Sequence, residues 1–256
     1  MSDAPSPAAE PSPARGTVTF AEGDFHALSA ALAADPQFNN RRLETRRKIL
    51  ALGKIAAREA GRHGQILDCR SSLHHPHPLN GMRVTRIRAA LFRGKGERRR
   101  LAGILGAELG GDLASAHRNG HLFLSIEAEA LEAGLSLHPE AWYDGQNLVN
   151  RVQREGIGPW RAELNSLGVP WRLQMHDWKG RWDCGALTTE ALEEYLSYYR
   201  PGDHRLAVSR RWPAPPGARG AALGPAAGEE IVAEALRLLP LYRFTVWSAA
   251  SDFLFG

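Results

Sequence analysis

The stretch HLFLSIEAEALEAGLSL, residues 121–137, decides the fold class of this chain. Leu122, Leu124 and Ile126 are apolar and alternate with the residues between them, the period of two that is typical of a strand with one face toward a core. Residues 134–137 form a short apolar segment that can pair with this strand as the second strand of a hairpin. The stretch therefore predicts an antiparallel pair near the middle of the chain.

Strands are also predicted further along the chain. Trp171, Leu173 and Met175 alternate with polar residues, and Leu206 and Val208 repeat the pattern in a shorter segment. Alternation over residues 242–246 predicts that the chain ends in a strand. With the central hairpin, these segments indicate a sheet of about five strands.

The chain before about residue 120 is predicted to be mainly helical. Residues 40–62 form the longest candidate, with Ile49, Leu52 and Ala56 on one side. Val84, Ile87 and Leu91 follow an i, i+3, i+7 spacing, which predicts a helix over residues 82–92. Further helices are expected over residues 24–35, 97–109, 139–155, 159–168, 188–200 and 229–239. The expected fold is α+β, with a mostly antiparallel sheet, helices packed on it and a mainly helical N-terminal half.

The composition suits a single domain. The chain has 256 residues, 43% of them hydrophobic, which is enough for a substantial core. Residues 1–18 are rich in Pro, Ala and Ser and are predicted to be a disordered leader without the apolar segment of a secretory signal. Residues 19–256 are predicted to form one α+β domain, with a possible sub-division near residues 111–120.

Two further features predict the compartment. Apolar runs are far shorter than the roughly 20 residues of a membrane-spanning helix, so no membrane partner is expected. Cys69 and Cys184 are the two cysteines, and we expect both to be free thiols in or near the core. We therefore expect a cytoplasmic protein.

Positive charge is concentrated in one part of the chain. Residues 41–100 carry 17 Lys or Arg against 4 Asp or Glu, whereas the other residues carry 15 against 24. Of the 32 basic residues, 28 are arginines, whose planar guanidinium can contact a phosphate through two parallel hydrogen bonds. A basic segment of this kind is typical of proteins that bind polyanions, so the sequence predicts an anionic partner, best matched by nucleic acid backbone.

The predicted phosphate contacts lie on the helix over residues 40–62 and around the glycine-flanked Lys95. They are Arg47, Lys54, Arg58, Arg62, Arg83, Arg86, Arg93, Lys95, Arg98, Arg99 and Arg100. Two alternatives stay open: the arginines pair with acids from the second half of the chain, or they face an acidic protein partner in a larger assembly.

A metal site is a second hypothesis. Imidazole nitrogens are common ligands of divalent metals, and the chain has histidines in a Pro-rich loop and near residue 120. The candidates are His74, His75, His77, His117 and His121. Their spacing matches no established zinc motif.

An acidic residue two positions before a lysine is a third observation. Asp177 and Lys179 follow a predicted strand, and Asp183 comes shortly after them. In metal-dependent nucleases carboxylates hold a divalent ion and a lysine positions the attacking water, so a metal-dependent hydrolase or nuclease is the alternative function. A chain of this composition is expected to contain about half of one such pair by chance, so a single occurrence has little specificity.

Overall fold

The computed structural model describes residues 18–110, 112–176, 178, 180–214 and 225–255. Residues 1–17, which hold almost all of the predicted leader, lie outside the described residues. So do Asp177 and Lys179.

Seven strands form one sheet in the order β1-β2-β3-β4-β7-β5-β6. The strands are β1 (Leu67–Ser71), β2 (Arg86–Arg93), β3 (His121–Glu127), β4 (Ala130–Leu137), β5 (Arg172–Met175), β6 (Trp182–Asp183) and β7 (Leu206–Pro213). Every pair of neighbouring strands is antiparallel. The α+β prediction is confirmed, with seven strands where about five were expected.

Helices connect and cover the strands. They are α1 (Glu22–His26), α2 (Asn39–Arg62), α3 (Lys95–Gly110), α4 (Trp142–Glu155), α5 (Ile157–Leu167), α6 (Thr189–Tyr198), α7 (Pro225–Arg237) and α8 (Leu239–Thr245). Helix α6 begins as its sequence indicates, because the side chain of Thr188 accepts a hydrogen bond from the backbone N–H of Ala191 at 3.2 Å.

Three segments differ from their predictions. Residues 24–35 were expected to form one helix, but α1 ends at His26 and is followed by turns with hydrogen bonds between residues three apart. Residues 82–92 were expected to be helical, but strand β2 begins at Arg86, and its Ile87 and Ala89 alternate with Arg86 and Arg88. This period of two was present beside the helical spacing, and pairing with β1 and β3 on both sides selects it. Residues 242–246 were expected to be a strand but fall in and after α8, where Pro240 lies in the first turn.

One face of the sheet carries the core. Ile87 lies opposite Ile126, and Leu122 lies opposite Leu135, so apolar side chains continue from strand to strand. Apolar residues of α2 and α4 to α8 join them in one hydrophobic cluster, which contains residues from both sides of the segment 111–120. The helices therefore form a single layer against this face.

We call the opposite side of the sheet the polar face. Its residues on the strands are Asp68, Arg70, Arg86, Arg88, Ala90, Phe92, His121, Phe123, Ser125, Glu127, Ala130, Glu132, Gly134, Ser136, Arg172, Gln174, Asp183, Ala207, Ser209 and Arg211. Its two large apolar side chains, Phe92 and Phe123, belong to neither hydrophobic cluster of the described residues. Among the described residues, these two rings therefore do not belong to the apolar core on the other face of the sheet.

None of the helices in the described residues is both long enough and apolar enough to cross a membrane.

Candidate functional site

Helix α2 presents a row of cations on its outer side. Ile49, Leu52 and Ala56 are buried against the sheet. The predicted contacts of this helix, Arg47, Lys54, Arg58 and Arg62, are all exposed. Because these positions recur at intervals of seven and four residues, they follow one side of the helix over about 20 Å of its length.

The flank of α2 next to this row runs along strand β1. The Nε of Arg46 donates to the Oγ of Ser71 at 2.7 Å. Gly53 lies so close to Cys69 that a Cβ on the glycine would be 2.7 Å from Sγ. The charge of Lys54 reaches the same cysteine, where it offsets part of the effect of burial; the pKa of Cys69 is nevertheless raised to about 11. No described strand pairs with the outer side of β1.

Helix α3 brings further cations to the other end of β1. The backbone N–H of Gly94 donates to the carbonyl of Ile66 at 3.1 Å, which places Lys95 beside the residue that precedes β1. Lys95, Arg99 and Arg100 are exposed. Arg98 turns inward, where it pairs with Asp68 at 2.5 Å and lies over the ring of Phe92.

The predicted contacts differ in whether their charge is already neutralised. Arg58 and Arg62 lie next to Glu59, Arg86 pairs with Glu127, and Arg100 pairs with Glu97. Arg83 donates to the carbonyl of Ala30 at 2.7 Å. These partners come from both halves of the chain, so pairing with the acidic second half accounts for only part of the basic region.

We define the basic surface as the exposed cations beside β1 that form no ion pair with any other described residue. They are Arg47, Lys54, Arg70, Lys95 and Arg99. Arg70 was missed from the sequence because β1 itself was not predicted. The sequence signal for β1 was weak, because its five residues show no clear alternation of apolar and polar side chains.

Arg93 is not part of any surface, and its prediction as a phosphate contact is wrong. Its side chain is 2% exposed and pairs with Asp144, which is fully buried. Burial disfavours the charge of Arg93, but Asp144, with Tyr143 and Tyr242, leaves the pKa of Arg93 raised. Arg93 therefore forms a buried ion pair inside the protein and does not face a partner.

The histidine candidates fall into two separate groups. His74, His75 and His77 lie beyond the C-terminal end of β1. The ring centroids of His74 and His75 are 5.0 Å apart, and those of His75 and His77 are 6.0 Å apart. His121 lies opposite Phe92 at the other end of β2. In the described part of the chain, no group of three or more His, Cys, Asp or Glu side chains is arranged to hold a metal ion.

Asp183 is the one described member of the hydrolase motif. Its carboxylate pairs with Arg172 at 3.1 Å and with Arg181 at 2.7 Å. Asp177 and Lys179 lie outside the described residues.

The polar face holds a stack of three residues that the sequence did not indicate. The guanidinium of Arg88 lies 4.1 Å from the centroid of the Phe123 ring, and this ring covers Gly134 on the next strand. A Cβ at Gly134 would be 2.7 Å from the ring and 2.6 Å from the carbonyl oxygen of Val208. Glycine at this position therefore lets the ring lie flat and support the guanidinium.

Cationic and imidazole groups surround this stack. Burial, followed by the charge of Arg88, lowers the pKa of His121 to about 4. Burial and then Arg86 lower the pKa of Arg88 to about 10, with Arg205 adding to the effect and Glu132 opposing it. The Nδ1 of His121 lies 2.9 Å from the carbonyl oxygen of Asn119, which makes Nδ1 the protonated nitrogen of the neutral ring.

The sequence matches no protein-family model and no curated protein.

Proposed function

We propose that the protein binds an anionic partner through the basic surface, and that this partner is the backbone of a nucleic acid. The observation that carries the proposal is the row of exposed cations beside β1 without a carboxylate partner among the described residues. An unpaired surface cation attracts a phosphate without first breaking an ion pair, and each contact releases counterions from the nucleic acid.

The dimensions of the surface suit several successive phosphates. Arg47 and Lys54 are seven residues apart on α2, which is about 10 Å along a helix. A nucleic-acid strand carries a charge about every 3.4 Å of helix axis, so a backbone along β1 would present several phosphates to this row.

The composition of the surface favours backbone contact over base recognition. Its members are Arg and Lys, and the large apolar side chain that is exposed beside them is Ile66, which directly precedes β1 and is 74% exposed. Sequence-independent single-strand binding also uses exposed aromatic rings, and the aromatics of the basic region, Phe92 and its neighbour on β3, Phe123, are buried. We therefore expect binding with little base preference.

We place this binding in the cytoplasm. Cys69 and Cys184 are both free thiols, which is the usual state of cysteines in a reducing compartment.

The test is fluorescence anisotropy with short labelled single- and double-stranded DNA and RNA, over a salt series with and without magnesium. The test variant is the triple change Arg47→Glu, Lys54→Glu and Arg99→Glu. We expect it to bind at least about tenfold more weakly than the natural protein at low salt. The matched control is Arg154→Glu, Arg181→Glu and Arg200→Glu, which makes the same charge change at exposed positions outside the basic region.

Three results would overturn the proposal. They are no binding at low salt, equal losses in the two triple variants, and complete competition by polyglutamate at the same charge concentration. The last would favour an acidic protein surface as the partner. Magnesium-dependent shortening of the probe would favour the nuclease hypothesis. No arrangement of the described residues supports that hypothesis at present.

A further inference from the structure

The polar face contains an arginine whose surroundings differ from those of its neighbours. Arg86 and Arg211 both pair with Glu127, and Arg172 pairs with Asp183. Arg88 lies among them, yet its side chain forms no ion pair or hydrogen bond with a described residue, and its Nε is buried without a partner. Such a group is costly unless something else satisfies it.

A second polar group, beside Arg88, also lacks a hydrogen-bond partner. Ser125 lies directly opposite Arg88 in the sheet and is 0% exposed. Its Oγ is buried and has no hydrogen-bond partner among the described residues. Buried hydroxyl groups are nearly always hydrogen-bonded, so an unpaired Oγ next to an unpaired guanidinium marks a place where a ligand can supply acceptors.

The groups around this pair are predominantly positive or neutral donors. Arg205, His121 and His138 belong to the same side of the sheet, and each is close enough to influence the charge of another member of the group. The nearby carboxylates are Glu132, opposite Ser125, and Glu127, and the charge of Arg88 remains disfavoured in spite of both. An additional negative charge at this place would be stabilised by the cations around it.

Burial limits the direction from which a ligand can approach. His121 is 4% exposed, Ser136 is 3% exposed and Ser209 is 4% exposed, whereas Arg88 is partly exposed, so a ligand reaches this place beside the guanidinium. The guanidinium of Arg88 lies over the ring of Phe123, and its Nε is buried without a partner among the described residues. That geometry suits the two oxygens of one phosphate or carboxylate group.

We propose that the polar face binds the oxyanion group of a small molecule, which Arg88 and the hydroxyl of Ser125 contact directly and Arg205 stabilises by its charge. The site lies apart from the members of the basic surface on α2 and α3, whereas Arg70 shares the polar face with Arg88. It therefore takes a small oxyanion whether or not the basic surface binds nucleic acid.

The experiment measures binding of inorganic phosphate and of citrate to the whole protein by NMR, with sodium chloride keeping the ionic strength constant. We expect saturable shifts of the His121 ring signals with at least one of the two anions. A response to phosphate alone identifies a phosphate ligand, and a response to citrate alone identifies a carboxylate.

The key variant is Arg88→Gln, which we expect to weaken binding by at least about tenfold. Its control is Arg211→Gln, which removes the same charge from the same face at a side chain that already pairs with Glu127. We expect Arg211→Gln to change the affinity by less than about twofold, as befits a side chain outside the site.

Circular dichroism confirms that each variant is folded. Should Arg88→Gln fail to fold, Arg88→Lys keeps the charge but loses the planar guanidinium, and we expect severalfold weaker binding from it. The absence of a saturable shift with both anions would overturn the proposal. Equal losses in the variants at positions 88 and 211 would also overturn it, because they would indicate general electrostatic attraction and no specific site.

Discussion

The guanidinium of Arg93 and the carboxylate of Asp144 form a buried ion pair that joins strand β2 to helix α4. The same carboxylate accepts hydrogen bonds from the backbone N–H of Gly120 at 2.6 Å and of Trp247 at 2.9 Å. Asp144 therefore connects the end of β2, the segment before β3 and the C-terminal segment at one buried point.

Removal of Asp144 should destabilise the protein strongly. Asp144→Ala leaves Arg93 charged and buried without its partner, and two backbone donors lose their acceptor. We expect the free energy of unfolding to fall by about 3–5 kcal/mol, measured by urea unfolding. Asp183→Ala, which breaks only exposed ion pairs, should cost no more than about 1 kcal/mol. Similar losses in the two variants would contradict a structural role for the buried pair.

Binding to nucleic acid should depend on salt in proportion to the number of unpaired cations. With about four to five phosphate contacts, the logarithm of the association constant should fall by about 4 for each tenfold rise in salt on double-stranded DNA. Single charge removals, such as Lys54→Ala, should each reduce this slope by about 1. Arg62→Ala is the comparison, since Arg62 already pairs with Glu59 at 2.6 Å. An unchanged slope in Lys54→Ala would place the contacts elsewhere.

His121 should make the stability depend on pH in a mildly acidic range. Its pKa is lowered from 6.5 to about 4 by burial, by Arg88 and by His138 and His117, while the carbonyl of Asn119 opposes the shift. Between these values the unfolded chain binds a proton that the folded protein does not. The contribution of His121 is therefore fully present above about pH 6.5 and is lost as the pH falls toward 4.

The loss should be on the order of 3 kcal/mol over this range, because one pKa unit corresponds to about 1.4 kcal/mol. Urea unfolding from pH 7 to pH 4 measures it, and His121→Gln should remove this part of the dependence. His63→Gln, at an exposed histidine, should leave it in place. A pH profile that is identical in the natural protein and in His121→Gln would show that this ring does not titrate as its surroundings indicate.

Gly134 should tolerate no side chain. Gly134→Ala would place a methyl group against the ring of Phe123 and the carbonyl of Val208, so the ring and the Arg88 guanidinium must move. We expect a loss of about 1–3 kcal/mol in stability, measured by thermal unfolding, and weaker binding of the small oxyanion. Gly103→Ala, a helical position with nothing within 4 Å, should be neutral or stabilise by up to about 1 kcal/mol. Equal effects at the two glycines would refute the close packing of Phe123.

The two cysteines should react slowly in the folded protein. Burial raises the pKa of Cys69 to about 11 and that of Cys184 to about 12, so only about one thiol in 1,000 or fewer is ionised at pH 8. Iodoacetamide labelling followed by mass spectrometry should proceed much faster in urea than in buffer. Rapid labelling of Cys184 in buffer would mean that its surroundings open readily.

Local sequence patterns were sufficient where an element's own residues decide its conformation. The alternation at Leu122, Leu124 and Ile126 and the stripe on α2 specified their elements, because each buries one continuous side against the core. The Thr188 cap is equally local. The concentration of positive charge within residues 41–100 is likewise a property of the sequence alone.

Only the tertiary structure decided features that depend on residues distant in the chain. Residues 86–93 carry both a helical and a strand spacing, and pairing with β1 and β3 selected the strand. Arg93 resembles its basic neighbours in sequence, yet Asp144, 51 residues away, holds it in the interior. Arg88 and Ser125 come together across a strand pair. Charge and periodicity can be counted along a chain, whereas burial and ionic partners are set by the packing of segments that the sequence keeps apart.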